Sequence, residues 1–144
     1  MIFDIFKKKK EVIVNEKDEL LVKTAALLIN VAKIDEEYTE KEKDIIKKVI
    51  LELGAAENNV NQFIDLAEKD EENSNQILEY TKEIKQTTLD YKTKLIEALW
   101  KIIFSNDVED MYESSLMRRL SGLLYLDKKL VGDIKEKVKK DLKK

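Results

Sequence analysis

The stretch Leu20–Ala32, with the sequence LLVKTAALLINVA, decides the fold of this chain. Its apolar residues recur on nearly all sides of a helix instead of forming one stripe, which predicts a central, buried helix. Asn15 lies three residues before Asp18 and offers a side-chain oxygen to cap the first helical turn. The sequence therefore predicts a buried helix that opens at Asn15 and forms the centre of the domain.

Further helices are predicted from the same combination of capping residues and apolar spacing. Thr39 and Glu42 form a capping-box pattern ahead of an apolar stripe, and Gly54 is predicted to end that helix. The later helices are predicted to open at Asn58 or Asn59, Ser74, Thr87 or Thr88, Asp110 and Asp127. The charged run Glu68–Asn73 is predicted to break the third helix as a solvated loop. The fold class predicted is all-α, a compact bundle of about seven helices.

Composition supports this fold class and excludes several kinds of chemistry. The 144 residues are the usual size of one domain, and they include no proline and only three glycines. The absence of cysteine and histidine excludes disulfides, thiolate or imidazole metal ligands and Ser-His or Cys-His nucleophiles. Any functional site must therefore use carboxylates, amides, hydroxyls and lysines, and no enzyme activity is predicted.

Charge is distributed unevenly along the chain, whose formal net charge is −3. Residues 1–10 carry +3 and residues 127–144 carry +4, so the 116 residues between them sum to −10. An acidic body lacks the basic face that releases counterions from a phosphate backbone, which argues against nucleic acid as a partner. Because no apolar run could span a bilayer or form a signal-peptide core, a cytoplasmic location is expected.

The N-terminus has two interpretations. Met1–Phe6 is largely apolar and precedes four lysines, Lys7–Lys10, a combination that favours a weak membrane-surface contact through residues 1–10. Alternatively, Ile2, Phe3 and Phe6 pack back onto the bundle and the lysines stay solvated. Residues 1–17 are accordingly predicted to be a basic lead-in segment, and residues 18–144 the helical domain.

An internal repeat relates the two halves of the chain at an offset of 71 residues, which aligns Leu28–Leu53 with Leu99–Leu124. In each copy a buried helix ends in an acidic loop, and the next helix carries a glutamate in its first turn. The aligned pairs include Leu28 with Leu99, Val31 with Ile102, Asp35 with Asn106, Thr39 with Asp110, and Glu42 with Glu113. The domain is therefore predicted to consist of two quasi-repeated helix-loop-helix units.

The loops and the helices around them carry a resemblance to a known family. Residues 31–42 (VAKIDEEYTEKE) resemble the aspartate loop and downstream glutamate of the tellurite-resistance TerB family, and residues 95–120 resemble the second half of uncharacterised TerB-like bacterial proteins. The resemblance covers roughly residues 18–140. It implies an all-helical accessory protein of stress and tellurite resistance, in a family for which no enzymatic activity is established. Where the family has a loop glycine, the two copies carry Glu36 and Asp107.

The resemblance also implies a candidate metal site formed by Asp35 and Glu42 in the first copy and by Asn106 and Glu113 in the second. Carboxylate and amide oxygens suit hard cations such as Ca²⁺, Mg²⁺ or Mn²⁺. The alternative is that Glu42 and Glu113 cap their helices and the loops are simply solvated. An EF-hand is excluded, since neither loop has glycine and glutamate at the positions that such a loop requires.

Three functions remain open at the level of sequence. The first is a TerB-like accessory protein that binds a divalent cation through its two acidic loops. The second is a metal-free helical module that binds an unknown protein partner, and the third is a membrane-peripheral scaffold that uses the N-terminus. Trp100, within the apolar face of the fifth helix, is predicted to belong to the core instead of forming a ligand platform.

Overall fold

The computed structural model of the chain describes residues 15–33, 38–73, 77–105 and 111–142; the side chains of residues 77–78 and 111–114 are not described. These residues form seven helices and no strand, which confirms the all-α fold class. The helices are α1 (Glu16–Ala32), α2 (Glu40–Glu52), α3 (Val60–Asn73), α4 (Ile77–Ile84), α5 (Leu89–Ser105), α6 (Met111–Leu123) and α7 (Lys128–Leu142).

Helix α1 is the centre of the bundle, as its sequence predicts. It packs against α2, α3, α4 and α5, and most of its residues between Leu21 and Ala32 are buried. The Asn15 side chain accepts a hydrogen bond from the Asp18 N–H at 2.9 Å, which confirms the predicted cap. A second packing layer joins α2 to α5 and α5 to α7. The core is therefore continuous through both halves of the chain.

Trp100 belongs to this core, with 3% of its surface exposed. Its indole Nε1–H donates to the Val131 carbonyl at 3.2 Å, and its ring stacks on Phe104 with centroids 5.7 Å apart. The prediction that Trp100 is a core residue is confirmed. Leu28 and Val31 of α1, Leu99 of α5 and Leu120 of α6 are buried as well.

Hydrogen bonds identify the capping residues of two further helices. Thr88, and not Thr87, caps α5, because its hydroxyl oxygen accepts from the Tyr91 N–H at 3.2 Å. Asp127 caps α7 by accepting from the Lys129 N–H at 3.0 Å. Polar side chains at these positions satisfy backbone N–H groups that have no partner within the helix.

The ends of α2 and α6 share one cap geometry. Gly54 follows α2 with φ +120°, and Tyr125 follows α6 with φ +57°. Each end closes with the paired hydrogen bonds of a Schellman motif: Gly54 N–H to Leu51 O, Ala55 N–H to Ile50 O, Tyr125 N–H to Gly122 O and Leu126 N–H to Ser121 O. Helix α6 also begins 71 positions after α2 begins, and it ends 71 positions after α2 ends. The equivalence of the two loops themselves stays a prediction.

The predicted loop at Glu68–Asn73 is wrong, because α3 continues through Asn73. Glu68 and Glu71 continue the buried face of Ile64 and Ala67 at helical spacing, and Glu71 is only 5% exposed. Charged residues can occupy a buried helix face when partners on neighbouring elements neutralise them. Those partners were not visible in the local sequence.

Several predictions concern residues outside the described ranges, namely residues 1–10, Asp35, Ser74, Asn106 and Asp110. Glu113 lies in the first turn of α6, but its side chain is not described. The division between residues 1–17 and 18–144 stays a prediction. Within the ranges given above, no helix has the length and apolar content needed to cross a membrane.

Candidate functional site

Glu42 is the one predicted site residue whose side chain the structure describes, and it is fully buried at the start of α2. The Thr39 hydroxyl oxygen accepts from the Glu42 N–H at 3.4 Å, and the hydroxyl donates to Glu42 Oε1 at 3.2 Å. Thr39 is therefore the N-cap of α2, as predicted, and it also orients the Glu42 carboxylate. The predicted cap by Thr39 is confirmed, whereas the roles of the Glu42 carboxylate, as a capping acid or as a metal ligand, stay predictions.

The chain on the N-terminal side of loop 34–37 is tied to α3 through Glu71. Lys33 Nζ lies 2.7 Å from Glu71 Oε2, and the Asn30 side-chain amide donates to Glu71 Oε1 at 3.3 Å. Because Glu71 is buried, a charged partner and a hydrogen bond are what allow it to stay in this position. Its contacts fix the end of α1 where the loop begins.

The chain on the C-terminal side of the same loop is tied to α3 through Glu68. The Tyr38 hydroxyl and Lys43 Nζ each donate to Glu68 Oε1 at 3.0 Å. Burial, together with the adjacent Glu68 carboxylate, raises the pKa of Tyr38 well above its ordinary value. The hydrogen bond to Glu68 also raises the pKa of Lys43. The two chain segments that flank residues 34–37 are thus tied to α3 by two carboxylates one helical turn apart.

Glu68 and Glu71 are the residues that sequence reasoning missed. The charged, asparagine-containing run Glu68–Asn73 predicts a solvated loop by its composition alone. The signal that could have found them is the periodicity of α3, since positions 64, 67, 68 and 71 form one helical face. Two acids on an otherwise apolar face indicate partners on another element.

The end of α5, which precedes residues 106–110 in the chain, lies close to the start of α2. Lys41 Nζ donates to the Ser105 carbonyl oxygen at 3.5 Å, and Ser105 is the last residue of α5. Lys41 follows loop 34–37 closely in the chain, and Ser105 immediately precedes residues 106–110. Residues flanking the two loops are therefore neighbours in the fold. By sequence, residues 34–37 and 106–110 each carry three acids and no basic residue.

The described side chains do not by themselves form a metal site. Among residues 15–33, 38–73, 77–105 and 111–142, no group of three or more acidic side chains could hold a metal ion. Asp35 and Asn106 lie outside these ranges, as does the side chain of Glu113, so the structure does not test the four-residue set. The donor chemistry fits, because all four residues offer the hard oxygen atoms that Ca²⁺, Mg²⁺ or Mn²⁺ prefer.

The described residues define an all-α helical-bundle protein in which acid-bearing segments of the sequence follow the helices α1 and α5. The family model described as "Tellurite resistance protein TerB" matches residues 21–136, and the chain belongs to this family. No curated protein and no solved structure in the comparisons matches the chain. The resemblance identified from the loop residues is thereby confirmed.

Proposed function

We propose that this chain is a non-enzymatic TerB-like accessory protein of bacterial stress and tellurite resistance that binds a divalent cation between its two acidic loops. The ligands proposed are Asp35 and Glu42 from the first helix-loop-helix unit and Asn106 and Glu113 from the second. Membership of the TerB family supports the broad role. The hydrogen bond between Lys41 and the Ser105 carbonyl carries the proposal, because it brings the flanks of the two loops together.

Electrostatics favour a cation at this end of the bundle. Both loops follow the C-terminal end of a helix, α1 or α5, where the helix dipole places partial negative charge. The six acids of the two loops add to that potential. A bound cation would reduce the mutual repulsion of these acids. The Thr39 hydroxyl orients the Glu42 carboxylate close to the first of the two segments.

The proposal is tested by titrating Ca²⁺, Mg²⁺ and Mn²⁺ into the full chain while following its melting temperature; amide NMR shifts are recorded with the two diamagnetic cations. A cation at 100 times its Kd stabilises the folded state by about 2.7 kcal/mol. Asp35→Asn and Glu42→Gln should reduce this stabilisation, and Asn106→Asp should increase it. Glu40→Gln is the matched control, since Glu40 is an exposed acid in the same first turn as Glu42.

A metal-free interaction module is the second candidate, and the ion pairs on α3 favour it. Glu68 and Glu71 are both paired with lysines, so the segments flanking residues 34–37 are tied to α3 by contacts that involve no metal. In this alternative, the acidic loops dock a basic surface of an unknown protein partner. The same titration separates the two functions: wild-type protein with neither a melting shift nor NMR changes in millimolar cation would overturn the metal proposal and leave the interaction module.

A further inference from the structure

A groove with a volume of about 250 Å³ lies between α6 and α7, over Trp100 of α5. Its floor consists of Trp100, Met117 and Val131, each 5% exposed or less. Well-packed side chains therefore close the bottom of the groove. Gly132 forms part of its wall, and a Cβ at this position would have no atom within 4 Å.

Among the described residues, the charged side chains that line the groove are all basic. They are Arg118 from α6 and Lys128 and Lys135 from α7, and the described lining includes no acid. Lys135 Nζ lies 5.2 Å from the centre of the Trp100 ring, so one cation sits above the aromatic floor. This concentration of positive charge stands out on a chain that carries 30 acids against 27 bases.

The cations are distributed along the groove. Lys128 and Lys135 are seven residues apart on one helix, which separates their Cα atoms by about 10 Å along the axis. Arg118 lies on α6, on the other side of the groove. Carboxylates along a peptide can pair with these cations in turn, and an apolar side chain of the same peptide can contact the floor.

We propose that the groove binds an acidic peptide segment of a partner protein, in which carboxylates pair with Arg118, Lys128 and Lys135 and an apolar side chain contacts the floor. The guanidinium of Arg118 can hold a carboxylate through two parallel hydrogen bonds. Charge complementarity identifies the partner's chemistry, and the apolar floor supplies contact area. This interaction is independent of the cation proposed at the acidic loops.

The test begins with selection of a random dodecamer library displayed on phage against the full chain. Peptides enriched by the groove should carry an excess of acidic residues together with an apolar residue. A synthetic copy of the most enriched peptide is then titrated into the protein. Trp100 is the single tryptophan of the chain and lines the groove, so its fluorescence reports whether the groove is occupied.

Adjacent residues provide matched controls for charge. Arg118→Glu and Lys128→Glu should each weaken peptide binding about tenfold or more, since each replaces an attraction by a repulsion. Arg119→Glu and Lys129→Glu make the same change at exposed neighbours outside the described groove lining and should alter binding less than about twofold. Circular dichroism checks that each variant is folded.

Glycine variants test the shape of the groove without changing charge. Gly132→Met should fill the groove and weaken binding, whereas Gly122→Met, at a second open helical glycine outside the groove lining, should not. The proposal is overturned if selection enriches no acidic peptides, or if the enriched peptides bind the groove variants and their controls equally. Binding of phosphatidylserine vesicles, with the same variant dependence and without peptide binding, would assign the surface to membranes and would also overturn it.

Discussion

Tyr125, at the C-terminal end of α6, allows a direct test of the backbone geometry. It has φ +57°, in the left-handed region, and its side chain is 72% exposed. For a residue with a Cβ, this conformation costs about 1–2 kcal/mol of conformational free energy, because the Cβ crowds the following carbonyl oxygen. Glycine avoids this strain but loses about 0.5–1 kcal/mol more backbone entropy than alanine on folding. We therefore expect Tyr125→Gly to be more stable than Tyr125→Ala by about 0.5–1 kcal/mol, the difference of these two effects.

The comparison uses two variants because the tyrosine ring makes contacts of its own. Lys85 Nζ and Lys92 Nζ lie 5.5 and 6.0 Å from the centre of the Tyr125 ring. Both variants lose these cation–π contacts equally, so their difference isolates the backbone conformation. Wild-type protein is not a suitable reference for that reason.

Two glycines serve as controls with opposite expected signs. Gly54→Ala should destabilise the protein by about 1–3 kcal/mol, because Gly54 has φ +120° at the equivalent end of α2. Its new Cβ would also lie 2.6 Å from Lys17 Nζ, although that flexible side chain can move away. Gly132→Ala, inside α7 and open around its Cα, should stabilise the protein by about 0.5–1 kcal/mol.

The assay is urea unfolding of the four variants, fitted to two states with a common dependence on urea concentration. In a chain of this length, 1 kcal/mol corresponds to about 3 °C in melting temperature, so thermal unfolding gives a second reading. If Tyr125→Ala is as stable as Tyr125→Gly while Gly132→Ala behaves as expected, then position 125 is not left-handed in solution and the proposed cap is refuted.

Three further outcomes follow from buried contacts. Trp100→Ala should cost about 3–5 kcal/mol in denaturant unfolding through the cavity it leaves, and a loss below about 1 kcal/mol would place Trp100 outside the core. Burial raises the pKa of Tyr91 to about 12, so the folded state keeps a proton that the unfolded state loses above about pH 10. The free energy of unfolding should therefore fall as the pH rises from 10 to 12. Tyr91→Phe should reduce this pH dependence of the free energy of unfolding, measured by urea unfolding between pH 9 and 11. An unchanged pH dependence would contradict the raised pKa of Tyr91. For the ion pair between Lys33 and the buried Glu71, Lys33→Met combined with Glu71→Gln in a double-mutant cycle should give a coupling energy above about 0.5 kcal/mol, and additive losses would show that the ion pair does not stabilise the folded protein.

Most of the fold was predictable because its signals are local. Capping by Asn15 and Thr39 involves residues three positions apart, and the buried character of α1 follows from its own apolar residues. The candidate loops were likewise found from neighbouring acids and from the repeat of residue types at an offset of 71. Signals of this kind act within one or two helical turns, so sequence spacing reports them directly.

The anchoring of the first acidic loop, in contrast, depends on contacts that sequence spacing does not report. Lys33 and Glu71 are 38 residues apart, Tyr38 and Glu68 are 30 apart, and Lys41 and Ser105 are 64 apart. A lysine or glutamate is equally compatible with solvent and with a buried partner until packing removes the water around it. The interpretation of Glu68–Asn73 as a loop failed for this reason, and the basic groove between α6 and α7 was likewise visible only after the helices were placed side by side.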